Sequence, residues 1–553
     1  MNLIRVVAMT LAPILMLLSG CAVGPNYKSP VVTVPESFDG SEQTDVKRWW
    51  ESFGDEGLNR LIERAVESNL DVQLACARVR EARAQLGIST APLFPTLTGT
   101  GSYTRSQQRV IPAPKSNDGS LRRLLPTATL RPPANGNNGG LTLTPQPITL
   151  GGNGQPSATI APGSLTLPGG ATTPPAVSLS PTTPKGASIP RRQDLFQAGF
   201  DASWEIDVFG GTRRAIEAAQ ADLDAQNEAR RDALVTLLSE LARNYMILRG
   251  VQSELAIVEQ NIVAQQDTLD LTQSRFDAGI ATDLDVARAE AQVQSTQSQL
   301  PTLRTQIEQA IHRLGVLLAE EPMALADELA SRSPLPVGPP HVPAGLPSDL
   351  LRRRPDVRHA ERQIAAATAR IGVATADLFP KFTLTGSMGF QSNALKSMLN
   401  SNNFIWSFGP SISWNLFSGG RVLANIQVQN EQEQEALIQY RQAVLQALQE
   451  VNDALVAYEE EQSRRDTLRK AVASNQRAVD MAKQLNDAGV VDFLNVLSAQ
   501  LSLYVSQDQL AQSEQAVSVN LVALYKALGG GWEDFEPLAT ANVSGPTYAA
   551  LTR

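Results

Sequence analysis

Two stretches, Gly211–Phe276 and Gly420–Leu485, each run for roughly 65 residues without a proline. Rich in Ala, Gln, Leu and Val, each is predicted to form one continuous helix, which at 1.5 Å per residue reaches about 100 Å. Val444, Val451 and Tyr458, with Leu448 and Leu455 between them, are spaced as a heptad-like seam against a neighbouring helix. Only 5% of the 553 residues are aromatic. That composition suits long helices touching through modest side chains better than one thick aromatic core.

The chain reads as two similar halves. STAPLFPTLTGTGSYT (89–104) is echoed by TADLFPKFTLTGSMGF (375–390), and FQAGFDASWEIDVFGG (196–211) by FIWSFGPSISWNLFSGG (404–420). A long helical run follows in each half, then the near-identical words FDAGIATD and NDAGVVDF, then another helix. The expected layout is a signal peptide 1–20, a lipidated segment 21–55 and a first repeat 56–330. A linker 331–348, a second repeat 349–531 and a tail 532–553 follow. Helices at about 56–90 and 349–377 precede the strands, and return helices span 283–328 and 493–528. A before-strand helix stacked on a return helix gives about 70–75 residues, matching the long helices 211–276 and 420–486.

Alternation marks four strands, at about 93–104, 196–208, 380–390 and 404–417. In the second, Phe196, Phe200, Trp204, Ile206 and Val208 share one face, and Gln197, Asp201, Ser203, Glu205 and Asp207 share the other. In the fourth, Phe404, Trp406, Phe408, Ile412 and Trp414 oppose Ser407, Ser411, Ser413 and Asn415. Runs of about 9–11 tilted residues with one apolar and one wet face suit a transmembrane barrel with an aqueous interior. A soluble sandwich would also alternate, but would place the aromatics inside.

Four strands cannot close a barrel when the smallest known need about eight. An open sheet edge in lipid leaves backbone groups unpaired, at several kcal/mol each. Several copies must therefore share one barrel. The repeated DAG words then read as hairpins, at 277–282 and 487–492, at the far end of the helices. Gly279 and Gly489 supply a left-handed residue that ends a helix, and Thr282 or Asp283, and Asp492, are suitable N-caps for the returning one.

MNLIRVVAMTLAPILMLLSGC begins the chain with one cation and a short apolar run. It reads as a signal peptide rather than a membrane-spanning helix. Leu18-Ser19-Gly20-Cys21 resembles the lipobox of bacterial lipoproteins. That resemblance implies cleavage before Cys21 and acylation of its thiol and amine; an ordinary signal peptide with an incidental cysteine is the alternative. Cys76, in a helical pattern, is expected to be a small core residue. Residues 107–191 are dominated by Pro, Gly, Thr, Asn and Ser, with no aromatic and one acid, Asp118. They read as a disordered extracellular loop, with Arg109, Arg122, Arg123 and Arg131 available to anionic surface glycolipid. A net charge of −9 with no basic stripe argues against nucleic acid as a partner.

RRRPDVRHAERQIAAATARIGVATADLFP (352–380), WEIDVFGG, WNLFSGG, the paired tips and LYKALGGGW (524–532) resemble the outer-membrane efflux factors of the TolC/OprM type. The likeness is strongest to the lipoprotein branch serving RND-type pumps, the NodT family. It covers nearly the whole mature chain; the 107–191 insertion departs from it. The resemblance implies an α+β trimer, with a twelve-stranded membrane β-barrel continuous with a twelve-helix periplasmic α-barrel. It also implies a passive, gated conduit for small molecules, partnered by a periplasmic adaptor protein, an inner-membrane RND transporter and membrane lipid. In that family acidic residues ring a constriction at the tip, and the positions here are Asp283, Asp285, Asp492, Asn495 and Ser498. Asp277, Gly279, Asp487 and Gly489 would dock the adaptor. Asn495 and Ser498 are uncharged where relatives often carry Asp.

No catalytic constellation stands out, and no cofactor is expected. His312, His341 and His359 show no metal-ligand spacing. The Arg352–Arg354 cluster is read as packing and capping near the equator of the molecule. A periplasmic coiled-coil scaffold would explain the helices but not four amphipathic strands, and type I protein secretion is the other conduit reading.

Overall fold

The computed structural model describes residues 22–30, 46–106, 148–150, 158–160, 193–339 and 352–535. The signal segment, Cys21, the arginines of the insertion and residues 536–553 lie outside them. The chain forms two compact units. One comprises the helices with the adjoining strand ends; the other holds residues 97–202 and 386–408.

In the helical unit, a 3-10 turn at Trp49–Phe53 leads into α1 (Glu56–Ser68) and α2 (Leu70–Thr90), followed by α3 (Gly211–Asp277), α4 (Asp283–Gln297), α5 (Leu300–Leu317) and α6 (Ala326–Leu329). The second half supplies α7 (Pro355–Ala376), α8 (Arg421–Asp487) and α9 (Phe493–Ala527). Two expected helices are broken. The run 56–90 divides at Asn69, whose side chain accepts from the N–H groups of Asp71 and Val72 to start α2 and donates to Leu317 O at 2.8 Å. The return path 283–328 divides before Pro301, which has no N–H to give and sits in the first turn of α5. α9 has no proline and stays continuous, so the two halves part company there.

α3 packs on α2, α4, α5, α7 and α9, while α8 packs on α7 and α9. Leu58, Ile62, Leu238, Leu241, Met246, Leu314, Leu521 and Leu524 are at most 1% exposed. Burying each such side chain contributes about 1.5–3 kcal/mol. Trp49 stacks on Tyr525 at 5.2 Å, and Trp50 on Phe535 at 5.6 Å, so the start of the expected tail is part of this core. Cys76 is buried in it. The Pro-rich linker lies against the long helices: Ser518 donates to Pro336 O at 3.1 Å, and Tyr458 donates to Pro339 O.

Arg354, the N-cap residue of α7, is 7% exposed and joins three helices. It donates to Ala527 O of α9 at 2.9 Å and pairs with Asp356 and Glu450 at 2.7 Å each. One of the three clustered arginines is thus a buried joint, where loss of any partner strands a charge. His359 bonds Ala225 O through Nδ1 at 2.9 Å and Gln363 through Nε2.

Residues 22–30 lie on α3 and α7. Val23 N–H donates to Phe209 O, and the buried Arg214 side chain donates to Val23 O, Gly24 O and Asn26 Oδ1. Tyr27 donates to Glu361 at 2.8 Å, and burial, then that carboxylate, pushes its hydroxyl up to about 12. Tyr27 therefore stays a donor at every physiological pH.

Four long strands, β1 (Thr96–Ser106), β4 (Gln193–Ile206), β5 (Lys381–Ser392) and β6 (Phe404–Ser413), form a sheet in the order β1-β4-β5-β6. Within the insertion, β2 (Ile148–Leu150) pairs antiparallel with β3 (Ala158–Ile160), and the rest of 107–191, on which the disordered-loop expectation falls, lies outside the described residues. Side chains track the antiparallel run of β1 on β4: Thr100 bonds Asp201, Ser102 bonds Gln197 and Tyr103 bonds Asp194. The strands are displaced by a few residues from the alternation pattern: β1 begins at Thr96, after the 3-10 turn Ala91–Leu93, and β6 ends at Ser413. The duplication persists in atomic detail. Trp204 Nε1 donates to Leu93 O and Trp414 Nε1 to Leu378 O, each at 3.0 Å. Trp406, Phe408, Ile412 and Trp414 are 73%, 69%, 67% and 58% exposed. None of the described helices is long and apolar enough to cross a membrane.

Candidate functional site

The two long helices end the same way. At the end of α3, Ile280 N–H reaches back to Arg275 O and Gly279 N–H to Phe276 O, both at 2.8 Å. At the end of α8, Val490 N–H reaches Leu485 O at 2.8 Å and Gly489 N–H reaches Asn486 O at 3.0 Å. The six-to-one bonds to Arg275 O and Leu485 O require a left-handed residue, and Gly279 and Gly489 have φ of +74° and +72°. A Cβ at either glycine would meet nothing within 4 Å. Backbone conformation, not crowding, makes them glycine.

The returning helices start differently. Thr282 caps α4 in a reciprocal box: Asp285 N–H donates to Thr282 Oγ1, and Thr282 N–H and Oγ1–H donate to Asp285 Oδ2 at 3.1 and 2.6 Å. Thr282, not Asp283, is the cap. The Thr282 hydroxyl holds the Asp285 carboxyl below its ordinary range. Asp492 occupies the equivalent N-cap of α9, but its side chain accepts no capping bond. Both Asp283, in the first turn of α4, and Asp492 are exposed; Asn495 and Ser498 follow on α9, with Ser498 donating to Asn495 O at 3.1 Å.

The cap carries a prediction. Thr282→Ala removes a bond that contributes about 1 kcal/mol, so amides 283–286 should exchange about fivefold faster with deuterium. Because the folded Asp285 pKa is depressed, this support is present above the ordinary carboxylate pKa of about 3.9 and is lost as pH falls below it. Equal exchange in both proteins would contradict the capping role.

Arg275 joins the two hairpins. In the last turn of α3, it donates to Asn486 Oδ1 and to Asp487 Oδ1, the latter at 2.8 Å. Asn486 in turn donates to Val491 O at 2.9 Å. Of the predicted residues, only Asp487 is drawn into this clasp. Asp277, at the other tip, accepts from Gln273 of its own helix at 3.0 Å. Asp283 and Asp285 form one local group on α4; Asp492, Asn495 and Ser498 form another on α9. Arg275 and Asn486 were missed from sequence. An offset of 210 aligns Arg275 with Leu485 and Phe276 with Asn486, so the clasp lies where the repeat fails.

The clasp is weak. Asp487 is 65% exposed, and ion pairs of this kind contribute about 0–1 kcal/mol, with roughly 1 kcal/mol more for the amide bond. Ile280, Leu284, Val490 and Leu494 present matching apolar surface at the two tips, 78%, 56%, 68% and 51% exposed.

The chain matches the model of the outer membrane efflux protein family over residues 61–162, 176–320 and 346–530. It is 30% identical to nodulation protein T of Rhizobium leguminosarum bv. trifolii, across 96% of this chain and 97% of that protein. It is 30% identical to the solvent efflux pump outer membrane protein SrpC of Pseudomonas putida, across 94% and 97%. The solved outer-membrane channel OprN superposes with a TM-score of 0.75 at 30% identity, covering 93% of this chain and all of that one. With helix, strand and tip repeated in both halves, and the family model matched across most of its length, this chain belongs to the outer membrane efflux proteins.

Proposed function

We propose that three copies of this chain close one twelve-stranded barrel in the outer membrane, continued into the periplasm by their helices. The assembly is a passive, gated conduit for small molecules. The observation that carries this reading is the four-stranded sheet, with β1 and β6 at its edges and its aromatic side chains exposed. Lipid requires those edges to be paired, and neighbouring copies pair them. Leu423, Ile438, Leu445 and Val456 of α8, each over 60% exposed, supply apolar surface for the adjoining subunit.

In this reading the conduit hands small organic compounds outward from an inner-membrane RND transporter, through a periplasmic adaptor. The adaptor docks on the hairpins around Asp277, Gly279, Asp487 and Gly489, where Ile280, Leu284, Val490 and Leu494 offer apolar contact. Closure is held by the Arg275 clasp, and Asp283 and Asp492 point carboxylates at the opening. Asp285 is a cap first, since its oxygens are engaged by Thr282. Acylated Cys21 anchors each subunit in the inner leaflet. The next residue, Ala22, packs against Gly210 at the junction of β4 and α3, which supports a lipid placed at that level.

A deletion strain tests the function. It should become hypersensitive to solvents and amphiphilic drugs while its secreted proteins are unchanged. Loss of a secreted protein with unaltered sensitivity would move the conduit to protein secretion.

A further inference from the structure

The loop after α5 folds back onto the helix it leaves. A Cβ at Gly315 would lie 3.1 Å from Glu321 O and 3.2 Å from Pro322 Cα, so glycine is what lets the loop lie so close. The turn is made by Ala319 at φ +56°, the one non-glycine residue with positive φ among those described. Glu320 N–H closes it on Gly315 O at 2.9 Å. Arg64 then pins the loop on both sides, pairing with Glu320 at 2.7 Å and Glu328 at 2.8 Å. Strain held by surrounding contacts tends to mark function.

The fold-back delivers Met323 to His312. The thioether Sδ sits 3.0 Å from His312 Nε2, and Glu308 Oε2 lies 4.0 Å from the same nitrogen. Met323 is 60% exposed, so its position is not explained by burial. The cavity wall beside His312 is of mixed charge, with Glu240, Arg243 and Arg313.

We infer that His312 and Met323, with Glu308 as counter-charge, bind a soft monovalent metal ion, Cu(I) or Ag(I). No three His, Cys, Asp or Glu side chains cluster as a metal site among the described residues, which leaves hard dications without a cage. A thioether beside an imidazole selects differently, since sulfur favours the soft ions. At the lengths usual for zinc on nitrogen and sulfur, roughly 2.0 and 2.3 Å, two donors stand about 3.5–4.3 Å apart, and the larger Ag(I) sets them no closer. Met323 must back off by about 1 Å, which its three rotatable bonds and its exposure permit. The bound ion staples the fold-back loop to α5. Eleven residues of sequence separation gave no sign of it.

Oxidative footprinting of Met323 by mass spectrometry, on the full-length protein in detergent with and without Ag(I), tests the site. Stoichiometric Ag(I) should slow Met323 oxidation at least tenfold, Zn(II) should not, and His312→Ala should reduce the protection to under twofold. Met323→Leu should bind one Ag(I) fewer per subunit. Equal oxidation of the unmodified protein with and without Ag(I), a reading independent of any variant's folding, would overturn the inference. Full protection surviving in His312→Ala would do the same.

Discussion

A Gly489→Val channel is expected to reach the outer membrane as trimers and to export nothing, leaving cells as drug-sensitive as the deletion strain. At φ +72° a β-branched side chain is disfavoured by more than the 1–2 kcal/mol usual for a left-handed residue. The hairpin escapes that strain by giving up the Val490-to-Leu485 bond and reshaping the tip. Nothing lies within 4 Å of the added Cβ, so the change stays local and the helices behind it keep their packing. Gly279→Val should act alike, because its tip is built the same way. Efflux assays beside native gels separate the outcomes: loss of trimers would assign these glycines to folding alone, and undiminished efflux would remove the tips from the docking surface.

Arg275→Ala should open the resting conduit. Among the described residues, the guanidinium ties the first hairpin to Asn486 and Asp487 of the second, and its combined contribution of about 1–2 kcal/mol is small enough for the proposed adaptor to overcome. Removing it shifts a closed-to-open equilibrium by about five- to thirtyfold. Single-channel conductance should rise severalfold, and the cells should admit large hydrophilic antibiotics. Asp492→Ala should raise conductance in the same direction but less, since in the proposed gate it contributes a carboxylate at the opening and no tie between the hairpins. Unchanged conductance in Arg275→Ala trimers would reduce the clasp to a helix-end contact.

Local chemistry explains what could be read from sequence. The proline-free runs give α3 and α8, and the repeated DAG words give the two glycine turns, because a left-handed residue after a long helix has few alternatives to glycine. The break before Pro301 is equally visible in the sequence, although the helical composition on both sides favours one continuous helix. Asn69 was harder, since its role depends on Leu317 O, which only tertiary structure brings near. Arg275 and Asn486 are 211 residues apart, and no periodicity announces their contact. Met323 meeting His312 depends on a left-handed alanine, a conformation that sequence propensity argues against. The expectation that Asp492 caps α9 was right about place and not about the bond.

Counting subunits in the detergent-solubilised protein, and then recording from the same material in planar bilayers, tests the closure argument most directly. Particles of three chains that form conducting pores are predicted. Monomers that insert no pore would contradict it, because a sheet ending at β1 and β6 would then have satisfied its edges alone.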